Sequence, residues 1–218
     1  MPATVNLTTD ELLSTTKAVR KRLDFERPVP REAIEECLAL AQFAPTGSNS
    51  QSWHFVVVSD AGKRASLARL YKRGWDMYSA MPASAGGSST GDAERDATQT
   101  RVRESALYLA EHMAEAPIHV IPCAAGRVDR APALAQAGFW GSIFPAAWSF
   151  MLAARTRGLG TVLTSLHLVA EQEAADVLGI PYDKVTQAAL IPVAYYKGDS
   201  FKPSPRAPLD TMVHWESW

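Results

Sequence analysis

At 218 residues the chain is long enough to bury one substantial core, and 47% of it is hydrophobic. A formal net charge of −1 offers no general attraction for nucleic acid or an acidic membrane surface, so neither is expected as a partner. The two cysteines, Cys37 and Cys123, both stand in apolar runs, which excludes a disulfide framework and fits buried thiols in a reducing, cytoplasmic setting.

Met1 to Asp10 show no basic patch followed by an apolar run, so no secretory leader is read there. Thr8 or Thr9 can cap a first helix, with Glu11 complementing its positive end. That helix is expected to continue through Lys17-Ala18-Val19-Arg20-Lys21-Arg22, where helical spacing gathers Lys17, Arg20 and Lys21 on one side. Such a run is either a solvated basic face or an anion site for a phosphate. Pro28-Val29-Pro30 reads as an extended connector, and Pro30 suits the start of a second helix. In that helix Ile34, Cys37, Leu38 and Ala41 form an amphipathic face. A polar loop follows, Ala44 to Ser52, of the kind that presents backbone and amide groups to a flat polar ligand at the mouth of a sheet. Trp53 to Val58 then reads as a buried strand. His54 has no second His or Cys at metal-ligand spacing, so no metal site is expected and it is read as a strand-edge side chain.

A basic helix is expected over about Lys63 to Tyr78, then a Ser/Gly/Ala/Pro loop from Ser79 to Gly91. Its Gly86-Gly87-Ser88-Ser89-Thr90-Gly91 run lacks the ending of a phosphate loop and follows no strand. The next helix, about Ala97 to Ala114, should turn Val102, Ala106, Leu109 and Met113 inward. Pro117 to Cys123 is a second strand. From Ala131 to Ala154 no residue is charged, long enough for a membrane span, but Pro132, Gln136, Gly138, Gly141, Ser142, Pro145 and Ser149 interrupt it. A helix buried on all sides, in the domain or at a subunit interface, is the better account. Gly158 should stop it at positive φ. A short strand and loop follow at Thr161 to Leu166, then a helix from Leu168 to Leu178, and a third strand from Val185 to Tyr196. There Pro192 must occupy an edge, a bulge or an unpaired position. The tail from Lys202 to Asp210 is proline-rich and extended. No nucleophile triad, carboxylate pair, metal-ligand spacing or dinucleotide fingerprint stands out, as in enzymes whose cofactor carries the difficult step.

Four stretches resemble motifs of the FMN-dependent nitroreductase family. Ala44, Pro45, Asn49, Gln51 and Trp53 match its Ala-Pro-Ser-x-x-Asn-x-Gln-Pro-Trp loop, with Thr46 and Ser52 as departures. Thr16, Lys17, Ala18 and Arg20 occupy its Arg-Arg-Ser-x-Arg motif without the first Arg and the Ser, leaving Lys17, Arg20 and the backbone around Ala18. Ala154-Arg155-Thr156-Arg157-Gly158-Leu159-Gly160-Thr161 is similar to the end of its central helix. Lys202-Pro203-Ser204-Pro205-Arg206-Ala207-Pro208-Leu209, with His214-Trp215, is similar to its closing segment.

The resemblance implies an α+β, three-layer nitroreductase-like fold: a mixed, mainly antiparallel sheet flanked by helices, in a domain-exchanged homodimer. Residues 1–218 would be one domain with a mobile substrate cover at about 72–100. The implied cofactor is FMN, with NADH or NADPH as electron donor. Hydride would pass through flavin N5 to a small-molecule acceptor, a nitroaromatic, quinone or similar compound, by a ping-pong cycle. Lys17, Ala18, Arg20 and Arg206 would serve the phosphate, with Lys17 or Arg20 near the pyrimidine edge. Pro45, Thr46, Gly47 and Asn49 would meet the ring edge across the dimer interface. Thr164, Ser165 and Leu166 would lie beside N5, with Ser165 or Leu166 donating a backbone hydrogen bond. Other readings on the same scaffold are reductive dehalogenation, enone reduction or flavin breakdown, or a flavin-binding protein without turnover.

Overall fold

The computed structural model describes residues 4–82, 84, 89, 91–199 and 201–218. Six strands make one open sheet in which every pairing is antiparallel. They are β1 (Leu23–Asp24), β2 (Trp53–Val58), β3 (Ile118–Ala125), β4 (Leu159–Thr161), β5 (Val185–Gln187) and β6 (Ile191–Tyr196). The main order is β1-β6-β3-β2, with β4 also paired to β6 and β5 to β3. Six α-helices are described: α1 (Thr9–Thr15), α2 (Arg31–Ala41), α3 (Ala61–Ser79), α4 (Ala93–His112), α5 (Ala133–Arg155) and α6 (Glu171–Leu178).

The period of two along β3 divides the molecule into three layers. Ile118 and Val120 face α2 and α5, packing with Ile34, Cys37, Ala147 and Phe150. Ile121 and Cys123 face the other way, against Leu67, Tyr71 and Trp75 of α3 and Leu109 of α4. Cys37 and Cys123 are both free thiols, and burial pushes them up to about 11 and about 12, so they are inert side chains of the core.

The first helix ends much earlier than its composition suggests. Thr8 caps it with Glu11 in a reciprocal pair, but Thr16 is already extended. The hydroxyls of Thr15 and Thr16 bond back to Glu11 O and Leu12 O, and Val19 N–H then donates to Thr161 O at 2.9 Å. Pairing beside β4 therefore replaces another turn of helix, and Lys17, Arg20 and Lys21 do not share a helical face.

Four further expectations change. Val102 is 38% exposed rather than inward, while Leu109 and Met113 are fully buried. β2 is an edge strand with His54 and Val57 exposed, not a buried one. The third apolar strand is two, β5 and β6. Pro192 lies where the β4–β6 ladder lapses: pairing stops at Thr161↔Val193 and resumes at Thr164↔Leu190, as expected where a donor is missing. The uncharged helix α5 buries Ile143, Ala146, Ala147, Phe150 and Ala154, yet leaves Leu134, Phe144 and Trp148 outside. By length and composition it is the one described helix that could cross a membrane, but its inner face packs on α2 and the sheet.

Gly158 has φ of 72°, the left-handed stop expected of it, and Gly179 closes α6 at the same φ. Of the expected cover segment, residues 72–79 belong to α3 and 93–100 to α4, while 83, 85–88 and 90, with most of the Ser/Gly run, lie outside the described residues.

Candidate functional site

The lapse opposite Pro192 releases the chain from β4 into a loop that a 3₁₀ turn, Leu166–Ala170, closes. Thr164 anchors the loop. Its backbone exchanges two hydrogen bonds with Leu190, at 3.1 and 2.8 Å, and its hydroxyl donates to Leu190 O at 2.6 Å. Beyond that anchor, the N–H groups of Ser165 and Leu166 donate to nothing among the described residues. They are the spare donors of a short turn without a side-chain cap. Ser165 is exposed and Leu166 half-buried, so a ligand can reach them.

Arg20 comes to this loop through Tyr71 of α3. The Tyr71 hydroxyl lies beside the Thr164 side chain, and the Arg20 guanidinium stands close enough to Tyr71 for the two to interact electrostatically. Burial pushes the Tyr71 phenol up to about 12, so it is neutral, and burial also lowers the affinity of Arg20 for its proton. No carboxylate pairs with Arg20 among the described residues. A desolvated cation without a counter-charge is poised for an anionic ligand.

The second part of the site is the loop between α2 and β2. Ser48, Asn49 and Gln51 have φ of 53°, 50° and 47°. Left-handed backbone is tolerated by Asn but unfavourable for Ser and Gln, by roughly 1–2 kcal/mol per residue. Side chains hold it. Thr46 Oγ1 accepts from Gln51 N–H at 3.2 Å, Gln51 Nε2 donates to Asn49 Oδ1 at 3.1 Å, and Gly47 N–H donates to Ser142 Oγ of α5 at 3.1 Å. The residues that permit the bend also fasten it to the central helix.

The sequence-derived site residues therefore form two separate groups in one chain. Arg20, Thr164, Ser165 and Leu166 come together around Tyr71. Pro45, Thr46, Gly47 and Asn49 sit on α5, and no hydrogen bond or ion pair joins the two groups among the described residues. Lys17 spends its ammonium on Lys202 O at 2.9 Å, tying the segment to the C-terminal tail, and Ala18 is exposed. Arg206 is exposed and donates to Pro205 O. Arg22 Nε donates to Lys197 O at 2.7 Å and its guanidinium lies 4.0 Å above the Phe201 ring.

Tyr71, Gly74 and Ser142 were missed in the sequence. Their signals were a Tyr and a mid-helix Gly on the apolar stripe of α3, and a lone Ser inside an uncharged helix. A groove of about 420 Å³ lined by Val29, Ile34, Leu38, Val57 and Ile118 opens beside the β2 edge and contains none of the site residues.

The fold is a nitroreductase-type flavoprotein fold. The model of the Nitroreductase family matches residues 14–195. The chain belongs to the nitroreductase family. A search of curated proteins finds no match. Among solved structures, oxidized iodotyrosine deiodinase bound to FMN and 3-iodo-L-tyrosine superposes with a TM-score of 0.71 at 22% identity, covering 97% of this chain and 100% of that one. The FMN and NADPH-dependent nitroreductase NfnB from sphigopyxis sp. strain HMH gives 0.67 at 19% identity, with 97% and 100% covered. A BluB-like flavoprotein from Clostridium difficile 630 gives 0.70 at 17% identity, again with 97% and 100% covered. At these identities the likeness establishes the fold.

Proposed function

We propose that this chain is an FMN-dependent oxidoreductase that takes electrons from NADH or NADPH and passes them to a nitroaromatic, quinone or similar small acceptor. The observation that carries the reading is the Arg20–Tyr71–Thr164 cluster beside the two unspent amides of Ser165 and Leu166. Bound FMN would supply hydride acceptance and hydride donation at N5. The chain's own task is orientation and electrostatics. Arg20 places a positive charge where an anionic ring edge can be stabilised. Ser165 or Leu166 N–H would direct a donor at the reactive nitrogen, with Thr164 anchoring the loop. Lys17 and Arg206 would serve the phosphate end, and the constrained loop of Pro45, Thr46, Gly47 and Asn49, brought by a second copy, would meet the ring edge.

We read the working unit as a homodimer. In one chain the two halves of the site stay apart, and Phe43, Trp215 and Trp218 are left 80%, 83% and 102% exposed. The groove at the β2 edge is likewise uncovered. A second copy would cover these surfaces and bring its loop to the Arg20 cluster.

Steady-state kinetics test the proposed cycle. With NADPH or NADH and a nitroaromatic or quinone varied together, double-reciprocal plots should be parallel, the signature of ping-pong turnover. Intersecting lines would mean that both substrates bind together, which a single stacking site vacated between half-reactions forbids.

A further inference from the structure

We infer that Gly74 and Tyr71 of α3 are positioning residues that set the place of the Ser165 and Leu166 amides, and so the balance between oxidised and reduced cofactor at the site. This rests on the function proposed above.

A glycine in the interior of a 19-residue helix weakens that helix unless something needs its bare backbone. Here the need is visible. A β-carbon on Gly74 would lie 2.0 Å from Leu166 O, 2.7 Å from Leu166 C and 3.1 Å from Leu166 Cβ. The first two are backbone atoms that cannot turn aside as a long side chain could. Helix α3 thus rests directly on the peptide that follows the spare amides. Tyr71 lies one turn earlier on the same face, where its hydroxyl meets Thr164. Thr164 itself is held from behind, its hydroxyl donating to Leu190 O. Leu190 behind Thr164 and α3 above Leu166 therefore bracket the two amides from both sides.

The consequence is chemical as well as structural. Oxidised flavin N5 accepts a hydrogen bond, whereas reduced N5 carries a hydrogen, so a well-aimed amide favours the oxidised form. Hydrogen bonds weaken steeply when their angle opens. Restoring ordinary contact around a new β-carbon requires Leu166 O to move by roughly 1 Å, given that Cβ contacts under 3.0 Å are essentially never seen. That displacement turns the amide away.

The test compares wild type with Gly74→Ala and Tyr71→Phe in two measurements. The first is amide hydrogen exchange over residues 164–167 in the FMN-free protein. The second is the dissociation constant for FMN and its midpoint potential in the loaded protein. In Gly74→Ala we expect faster exchange at Thr164, the one amide of this span that donates a hydrogen bond among the described residues, and oxidised FMN weakened about tenfold relative to reduced FMN, a rise of about 30 mV for a two-electron couple. Tyr71→Phe, which keeps the ring and frees Thr164, should move both readouts in the same direction by less, and it carries the test should Gly74→Ala fail to fold. FMN uptake with unchanged or lower potentials in the folded variants overturns the inference alone. A wild-type protein that takes up no FMN overturns the functional reading and this inference with it.

Discussion

Lowering the pH from about 6.5 to about 5 is expected to destabilise the fold by about 1.5 kcal/mol for each of two buried histidines. His119 of β3 and His167, next to Leu166, are both fully buried. His119 Nε2 donates to Met113 O at 2.9 Å, while its Nδ1 and both nitrogens of His167 meet no partner among the described residues. Burial pushes each imidazole down to about 4. The charged groups around them oppose protonation further: Arg64 repels a charge on His119, and His119 repels one on His167. Both rings are therefore neutral in the fold, whereas the unfolded chain begins to bind protons below about pH 6.5. The unfolded state holds more protons through this window, so stability falls with pH from about 6.5 towards 4 and levels off below. Urea unfolding at successive pH values checks this. His119→Gln/His167→Gln should flatten the slope, and a wild-type profile already flat between pH 6.5 and 5 would show that the rings titrate normally. Because His167 adjoins the site loop, acid should loosen this part of the site together with the fold.

Arg20→Ala is expected to weaken FMN binding by roughly 10- to 150-fold, the loss of a charge-assisted contact worth about 1.5–3 kcal/mol. The same substitution should leave the FMN-free protein as stable as wild type, or slightly more so. It removes a desolvated cation that no carboxylate compensates. A purely structural arginine gives the opposite pattern, with lower stability and unchanged affinity. Titrating FMN into both proteins, alongside their thermal unfolding without FMN, separates the two roles. The contrast is sharper than an affinity measurement alone, because misfolding would lower both quantities together.

The fold was legible wherever local chemistry agreed with the final packing. The face of α2 through Ile34, Cys37 and Ala41 and the glycine stop at Gly158 were readable because spacing and φ preference settle them. The end of α1 was not. Lys17, Ala18 and Arg20 have good helical propensity, but Val19 gains a partner in Thr161, more than 140 residues away, and that pairing overrides propensity. The site was legible by position and not by geometry. Pro45, Thr46, Gly47 and Asn49 could be assigned to a ligand loop, yet nothing local marks Ser48 and Gln51 as left-handed, since Ser142 of α5 helps hold that bend. Tyr71 was hidden because a tyrosine on an apolar stripe reads as core. Only its tertiary placement near Arg20 and Thr164 gives it a second role. That the two groups of the candidate site do not meet within one chain is likewise invisible to local chemistry.

The most direct test of the central claim is the absorption spectrum of the purified protein, reconstituted with FMN where needed, followed anaerobically as NADH and then NADPH are added. The account predicts a protein-bound flavin spectrum that bleaches with at least one of the two donors. A protein that remains colourless after incubation with FMN would contradict it, and so would a bound flavin that neither donor reduces.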